Sequence, residues 1–139
     1  KYRFDTSKVI ISYLLTIIFF TIHVYEEYIF GFNEVASSLS GTVVTQKEFL
    51  TFAGFFAPIM WVTGAILIIK RWAVGYYFLT FFFVAMTIAE LTHFIFPFVL
   101  YGEWKYTAGV ATAALPLIPA WFGLIITLKE TRKLKYAKA

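Results

Sequence analysis

Five histidine and glutamate side chains stand in segments of the chain that are otherwise apolar. His23, Glu26 and Glu27 come late in the first apolar segment, within the run His-Val-Tyr-Glu-Glu, and Glu90 and His93 come late in the third, within Glu-Leu-Thr-His. Ionisable groups at membrane depth are costly, so they usually pair with each other, bind an ion or line a cavity. Two such clusters in one small chain predict a metal-binding or proton-transfer site.

The spacing within each cluster matches one face of a helix. Positions i, i+3 and i+4 share a face, so His23, Glu26 and Glu27 can point inward together. Glu90 and His93 have the Glu-x-x-His spacing of carboxylate-bridged dinuclear sites in helix bundles. Two imidazoles and three carboxylates suit zinc, iron or manganese better than copper(I) or an iron–sulfur cluster. We therefore predict all five as metal ligands, with Glu26 as a bridging ligand or the catalytic general base.

This ligand set is one glutamate short of the bundle sites, which take four glutamates and two histidines from four helices. The shortfall favours a single metal, or an asymmetric pair of metals, with positions open to a substrate. The structural alternative is a satisfied His–Glu pair between helices, which contributes only about 1 kcal/mol in a membrane. Tyr25 and Tyr28 flank the cluster, and we interpret them as interface tyrosines rather than hydrogen-bond partners of the ligands.

The composition is that of a membrane protein. Of 139 residues, 60% are hydrophobic and only 14% are charged, whereas an average globular domain is about 25% charged. There is no cysteine, which excludes thiolate sites and disulfides. Four apolar blocks, each long enough to cross a bilayer as a helix, predict an all-α polytopic bundle of four transmembrane helices in one domain, residues 1–139. The predicted helices are 8–30, 46–69, 72–100 and 107–128, and residues 31–44 are predicted as the longest loop.

The basic residues predict the orientation of the chain. Ten of the twelve lysines and arginines lie in the N-terminus, the second connection or the C-terminal tail, and only Lys47 and Lys105 lie on the other side. By the positive-inside rule both termini are cytoplasmic in a cell or inner membrane. The same rule accounts for the net charge of +4 without nucleic acid as a partner. The ten are Lys1, Arg3, Lys8, Lys70, Arg71, Lys129, Arg132, Lys133, Lys135 and Lys138.

The two polar clusters reach a similar depth. The first and third helices run in the same direction, and His23 lies about 22 Å along its helix from Lys8 at 1.5 Å per residue. Glu90 lies about 27 Å along from Trp72 by the same rise. We therefore expect the clusters to meet in the half of the bilayer away from the cytoplasm, although helices two and four supply no ionisable residue at that depth.

We interpret the small residues and the isolated hydroxyl groups of the helices as structural rather than catalytic. Gly64, Gly75 and Gly109 are predicted to allow close packing of helices. Thr112, like the other scattered threonines, is predicted to hydrogen-bond to its own backbone.

Together these motifs resemble the HXXEE domain family of small integral membrane proteins. His23-Val-Tyr-Glu26-Glu27 is similar to the family's signature, and His93 matches the histidine of its third helix, although Glu90 stands where the family commonly has Asn. The run Tyr106-Thr-Ala-Gly109-Val-Ala-Thr112-Ala113, followed by Pro116, is similar to the family's Tyr-x-x-Gly-x-x-Thr-Ala stretch. The resemblance covers about residues 21–127 and implies a four-helix membrane fold and a His/Glu metal site. It implies little about substrate.

Three functions are compatible with the sequence, which leaves open whether the protein is an enzyme. In the first, one or two transition-metal ions, zinc or iron, act on a lipid or other apolar substrate. In the second, the glutamates move protons in a metal-free isomerase. In the third, the chain is an accessory subunit of a larger membrane complex, or self-associates, and the polar cluster holds helices together.

Overall fold

The computed structural model describes residues 6–70 and 73–136. Within them the chain is all-helical, and four helical stretches are long and apolar enough to span a membrane: Ser7–Ile29, Gln46–Ile69, Val74–His93 and Ala114–Arg132. The predicted fold class is therefore confirmed. The predicted start of the third helix, Trp72, lies outside the described residues, as do the basic residues Lys1, Arg3, Arg71 and Lys138.

The first and third long helices both pack against the fourth. Helix α1 (Thr6–Ile29) and helix α5 (Ala73–His93) contact helix α7 (Ala114–Tyr136) along their lengths, whereas helix α4 (Ala57–Ile69) packs mainly on α5. An apolar core fills the middle of the bundle and the end at which the chain starts and finishes. Large aromatic and aliphatic side chains pack closely in this core, and their many van der Waals contacts stabilise the bundle. Its buried members are Val9, Tyr13, Ile68, Leu79, Phe82, Phe83 and Ala120.

The connection after α1 is more ordered than the sequence indicated. Residues 31–44 were predicted as a loop, but Phe32–Ser40 forms helix α2. Gly31 and Gly41 border this helix with φ of 75° and 69°, a left-handed conformation that glycine adopts without steric cost. The ring of Phe32 lies against Phe49 and His93. Helix α2 thus folds back over the end of the bundle opposite the chain termini, here called the distal end.

The second span has the predicted bounds but is not uniform. Thr45 and Glu48 form the predicted capping box, in which each side chain bonds the other's backbone N–H. Helix α3 (Gln46–Thr51) continues into a π-helical segment (Phe52–Phe56) before α4. Pro58 stands at the start of α4, and because it has no N–H it cannot donate an α-helical bond. The lost bond accounts for the local widening of the helix there.

Proline also divides the predicted third helix. The sequence predicted one helix over 72–100, but α5 ends at His93 and helix α6 covers Phe96–Tyr101. Pro97 would direct its ring at the carbonyl of His93, four residues earlier, and could not donate to it. The break leaves His93 at the end of α5, where its side chain is free to turn toward the bundle axis.

The fourth helix begins later than predicted. The prediction was 107–128, but α7 starts at Ala114 and continues to Tyr136. The preceding residues form turns stabilised by bonds such as Ala113 N–H to the Gly109 carbonyl. Gly109 has φ of 91°, which is incompatible with a right-handed helix. Residues 102–113, here called the α6–α7 linker, therefore enter the bundle as irregular backbone.

The predicted close packing at glycine can be tested at the contact between α4 and α5. A Cβ on Gly75 would lie 2.8 Å from the Leu67 carbonyl oxygen, and backbone cannot move aside cheaply. We expect Gly75→Ala to lower the free energy of unfolding by about 1–3 kcal/mol. Thermal unfolding in detergent measures the change. Gly54→Ala is the control, since a Cβ there meets nothing within 4 Å; equal loss in both variants would contradict close packing.

Candidate metal centre

The predicted meeting of the two polar clusters is observed. His23, Glu26 and Glu27 from α1 and Glu90 and His93 from α5 are all buried, with exposures of 1%, 8%, 4%, 1% and 5%. The bundle places them at its distal end, beyond the apolar core. Tyr25 and Tyr28 point outward, with 66% and 37% of their surface exposed, in line with their interpretation as interface residues.

Three of these side chains bring one atom each close to the other two. The Nε2 atoms of His23 and His93 are 3.3 Å apart. Glu27 Oε1 lies 3.5 Å from the first and 3.4 Å from the second. These three atoms all lie within 4.8 Å of one another, so His23, Glu27 and His93 are placed where they could hold a metal ion. We call them the inner triad.

Glu90 borders this triad. Its Oε2 atom is 3.3 Å from His23 Nε2, yet it is buried without a hydrogen-bond partner among the described residues. An unpartnered buried carboxylate oxygen is costly. Glu90 is therefore available as a further ligand or as a proton acceptor next to the inner triad.

Glu26 lies apart from the inner triad and binds the α6–α7 linker. Its carboxylate accepts four hydrogen bonds: from the hydroxyls of Tyr106 and Thr112, and from the backbone N–H groups of Ala111 and Thr112. Four donors suit an ionised carboxylate. Loss of water around the Tyr106 hydroxyl, and then its bond to Glu26, raise the pKa of Tyr106, so this hydroxyl stays protonated and keeps donating.

Thr112 connects Glu26 to His23 through two hydrogen bonds. The Thr112 hydroxyl has one proton and donates it to Glu26. At 3.0 Å from His23 Nδ1, its oxygen must therefore accept the Nδ1–H of the imidazole. A neutral imidazole protonated at Nδ1 carries its lone pair on Nε2. The hydrogen bond from Nδ1–H to Thr112 thus selects the tautomer of His23 whose Nε2 lone pair lies beside His93 and Glu27. Hydrogen-bond partners of metal-ligating histidines fix the tautomer in the same way.

Gly109 brings the linker against both imidazoles. A Cβ at this position would lie 2.6 Å from His93 Cε1 and 3.0 Å from His23 Cε1. On the other side, Phe32 lies 5.2 Å from the His93 ring, centre to centre, as does Phe96. The Nδ1 atom of His93 is buried beside the backbone of Ala108, without a partner in normal hydrogen-bond geometry among the described residues. Backbone and aromatic rings therefore enclose the triad and limit its contact with water.

The sequence identified the five polar residues but not the partners that orient them. Thr112 was predicted to bond to its own backbone, which is wrong: its hydroxyl bonds to Glu26 and His23. Gly109 was predicted as a close-packing position, and it packs against histidine rings. The signal that could have found these residues was the Tyr-x-x-Gly-x-x-Thr-Ala stretch, whose tyrosine, glycine and threonine all serve the site.

Gly109 can be tested against a glycine of similar conformation. Gly102 has φ of +73° and open space around it, whereas Gly109 has φ of +91° and abuts both histidines. Alanine at either position is strained by about 1 kcal/mol or more, but only Gly109→Ala displaces the rings. We expect a larger loss of thermal stability for Gly109→Ala and altered ¹⁵N imidazole resonances in that variant alone. Similar spectra for both variants would show that the linker does not support the histidines.

The tautomer of His23 offers a second test. Thr112→Val removes the acceptor at Nδ1, so we expect the His23 ¹⁵N resonances to shift from an Nδ1-protonated pattern to a mixture of tautomers. Thr63→Val is the control, because the Thr63 hydroxyl bonds only the carbonyl of Ile59 on an exposed helix face. An unchanged His23 spectrum in Thr112→Val would contradict the hydrogen-bond chain from His23 through Thr112 to Glu26.

Comparison with known proteins shows to which family the chain belongs. A family described as "Protein of unknown function with HXXEE motif" matches the chain over residues 14–123, a range that includes most of α1, all of α5 and the linker, and the start of α7. No curated protein and no solved structure matches the chain. His23, Glu26 and Glu27 supply the histidine and the two glutamates of the motif. Because the match covers well over half of its length, the chain belongs to the HXXEE family.

Proposed function

We propose that this protein is an integral membrane metalloprotein in which His23, Glu27 and His93 bind a divalent transition-metal ion. The observation that carries the proposal is the set of separations within the inner triad, 3.3, 3.4 and 3.5 Å. Ligands at about 2.0–2.1 Å from a tetrahedral zinc ion are about 3.3–3.4 Å apart. The triad therefore has the dimensions of three corners of such a coordination shell, and Glu90 is a candidate for the fourth.

A shared proton explains the same separations less well. Atoms that carry lone pairs repel one another, so the cluster requires positive charge between them, either a metal ion or protons. Good N–H···O hydrogen bonds are about 2.7–3.2 Å long, and the two separations between Glu27 and the histidines are 3.5 and 3.4 Å. For this reason we prefer a metal ion to the metal-free proton-transfer function, with zinc or iron as the ions that suit imidazole and carboxylate ligands.

We further propose that the centre is catalytic and that its substrate is lipid-like. A metal ion held there would polarise a carbonyl or phosphoryl oxygen or activate a water molecule. Glu90, next to His23 and without a hydrogen-bond partner, is suited to accept a proton. The ligand and general-base roles predicted for Glu26 stay untested; its four hydrogen bonds support a positioning role in this proposal.

The basic residues support a cytoplasmic location of both termini, which remains part of the proposal. Among the described residues, Lys8, Lys70 and Lys129 are exposed at the terminal end of the bundle, and the distal end has Lys47 and Lys105. In this orientation the metal centre lies in the half of the membrane away from the cytoplasm. A lipid-like substrate would reach it from the bilayer without crossing the apolar core.

Elemental analysis of the purified protein tests the metal site. We expect one transition-metal ion per chain, lost in His93→Ala and in Glu27→Gln because each removes a ligand of the triad. Thr112→Val leaves the ligands in place but frees His23, so its metal affinity should fall by about 10- to 100-fold. Glu103→Gln, an exposed carboxylate of the linker, is the control and should bind metal as the wild type does.

One outcome of the same experiment would contradict the metal site. A protein purified without stoichiometric transition metal, which takes none up on incubation and keeps its thermal stability in chelator, would contradict the metal site. The metal-free proton-transfer function would then become the better account of the cluster.

A further inference from the structure

A second candidate site lies at the distal end, outside the metal centre. A cavity of about 520 Å³ opens between helix α2, the turn that follows α1, the end of α6 and the α6–α7 linker. Binding pockets for small molecules commonly have volumes of about 300–1,000 Å³. We call it the distal cavity. It lies at the mouth of the bundle, at the level where aromatic residues such as Trp104 suit a membrane interface.

The lining of the distal cavity combines aromatic rings with one carboxylate. Phe30, Tyr101 and Tyr106 contribute rings, and Glu34 is the one charged residue among those that the structure places in its wall. The Glu34 side chain is exposed and forms no ion pair with the described residues. Its carboxyl carbon lies 3.8 Å from the position that a Cβ on Gly31 would take, so the glycine leaves space beside the carboxylate.

Rings and a free carboxylate are the groups that recognise an ammonium ion. A cation within about 6 Å of an aromatic ring centre is attracted by the ring's electrons, and cages of such rings bind quaternary ammonium groups. The Tyr101 ring already accepts a cation, because the Lys105 ammonium lies 4.7 Å from its centre. Lys105 itself does not line the cavity, so an ammonium group inside it would face Glu34 without a cationic side chain in the wall.

The back wall of the cavity is shared with the metal centre. Tyr106 lines the cavity and donates its hydroxyl proton to Glu26. Thr107 and Ala108 continue the wall, and the Thr107 hydroxyl is buried without a hydrogen-bond partner among the described residues. The next residue, Gly109, abuts both histidines. One layer of backbone thus separates the cavity from the inner triad.

We propose that the distal cavity binds an alkylammonium group, presented by an amphiphile at the membrane surface. The rings in the cavity wall contact the cation, and Glu34 supplies the opposite charge. The unpartnered Thr107 hydroxyl is a donor for a polar group next to the ammonium. This site does not depend on a metal ion, so ammonium binding can be tested independently of the proposed metal site.

Calorimetric titration of the full chain in neutral dodecyl maltoside micelles tests the proposal. The probes are dodecyltrimethylammonium and free choline, which share the quaternary ammonium but differ in the alkyl chain, with dodecyl sulfate as the anionic counterpart. We expect saturable binding of dodecyltrimethylammonium, with or without chelator, and none of dodecyl sulfate. Binding of choline with equal affinity would assign the site to a soluble ammonium ligand, and much weaker binding of choline would assign it to a lipid.

Two variants decide whether the cavity is responsible. Glu34→Gln keeps the shape of the side chain and removes its charge, so it should weaken dodecyltrimethylammonium binding at least tenfold, and Phe30→Leu should weaken it several-fold. Glu103→Gln removes an exposed carboxylate outside the cavity and should leave binding unchanged. The proposal is overturned if no saturable binding is seen, or if Glu34→Gln and Glu103→Gln bind the probe equally.

Discussion

The structure of the distal end depends on nitrogen and oxygen lone pairs that lie close together inside an apolar bundle. Nitrogen and oxygen atoms of His23, His93 and Glu27 stand within 3.5 Å of one another, where water is largely excluded. Such an arrangement is stable only if positive charge lies between the atoms and if the outer sides of the same groups are hydrogen-bonded. The metal ion proposed above would meet the first condition. The second condition explains why Glu26, Thr112 and Tyr106 form a connected set of hydrogen bonds behind His23.

The α6–α7 linker is the element through which these requirements are met. Irregular backbone inside a membrane bundle is tolerated only where it is buried in protein or lines a cavity, because its polar groups need partners. Here two of its N–H groups bond to Glu26, and Gly109 allows it to approach both imidazoles. The linker also forms one wall of the distal cavity. A ligand in that cavity would therefore contact the same segment that positions His23.

The two halves of the bundle have different roles. Toward the chain termini, Tyr13, Phe82 and Phe83 pack in an apolar core, and Gly123 allows close contact with Phe83. Toward the distal end the interior is polar and the helices are interrupted, at the π-helical segment, at Pro97 and before Ala114. The interruptions provide the turns that bring His93 and the linker to the site.

Much of the fold could be predicted because its determinants are local. The length and hydropathy of each span, the Thr45–Glu48 capping box and the i, i+3, i+4 spacing of His23, Glu26 and Glu27 depend only on neighbouring residues. The break before Pro97 is also local in origin, but it was missed because the apolar run continues on both sides of it. Helix α2 was missed for a different reason: Phe32 rests on Phe49 and His93, which are distant in sequence.

The sequence by itself determined that this is a four-helix membrane-type bundle with two His/Glu clusters at matching depth, since helical periodicity and the rise per residue set both. Only the tertiary structure decided which carboxylate joins which histidine. Glu26 and Glu27 are adjacent in the chain and have the same side chain, yet Glu27 joins the two histidines in the inner triad and Glu26 binds the linker. The physical reason is the 100° turn between successive helical residues, which directs neighbouring side chains toward different partners that the chain assembles only on folding.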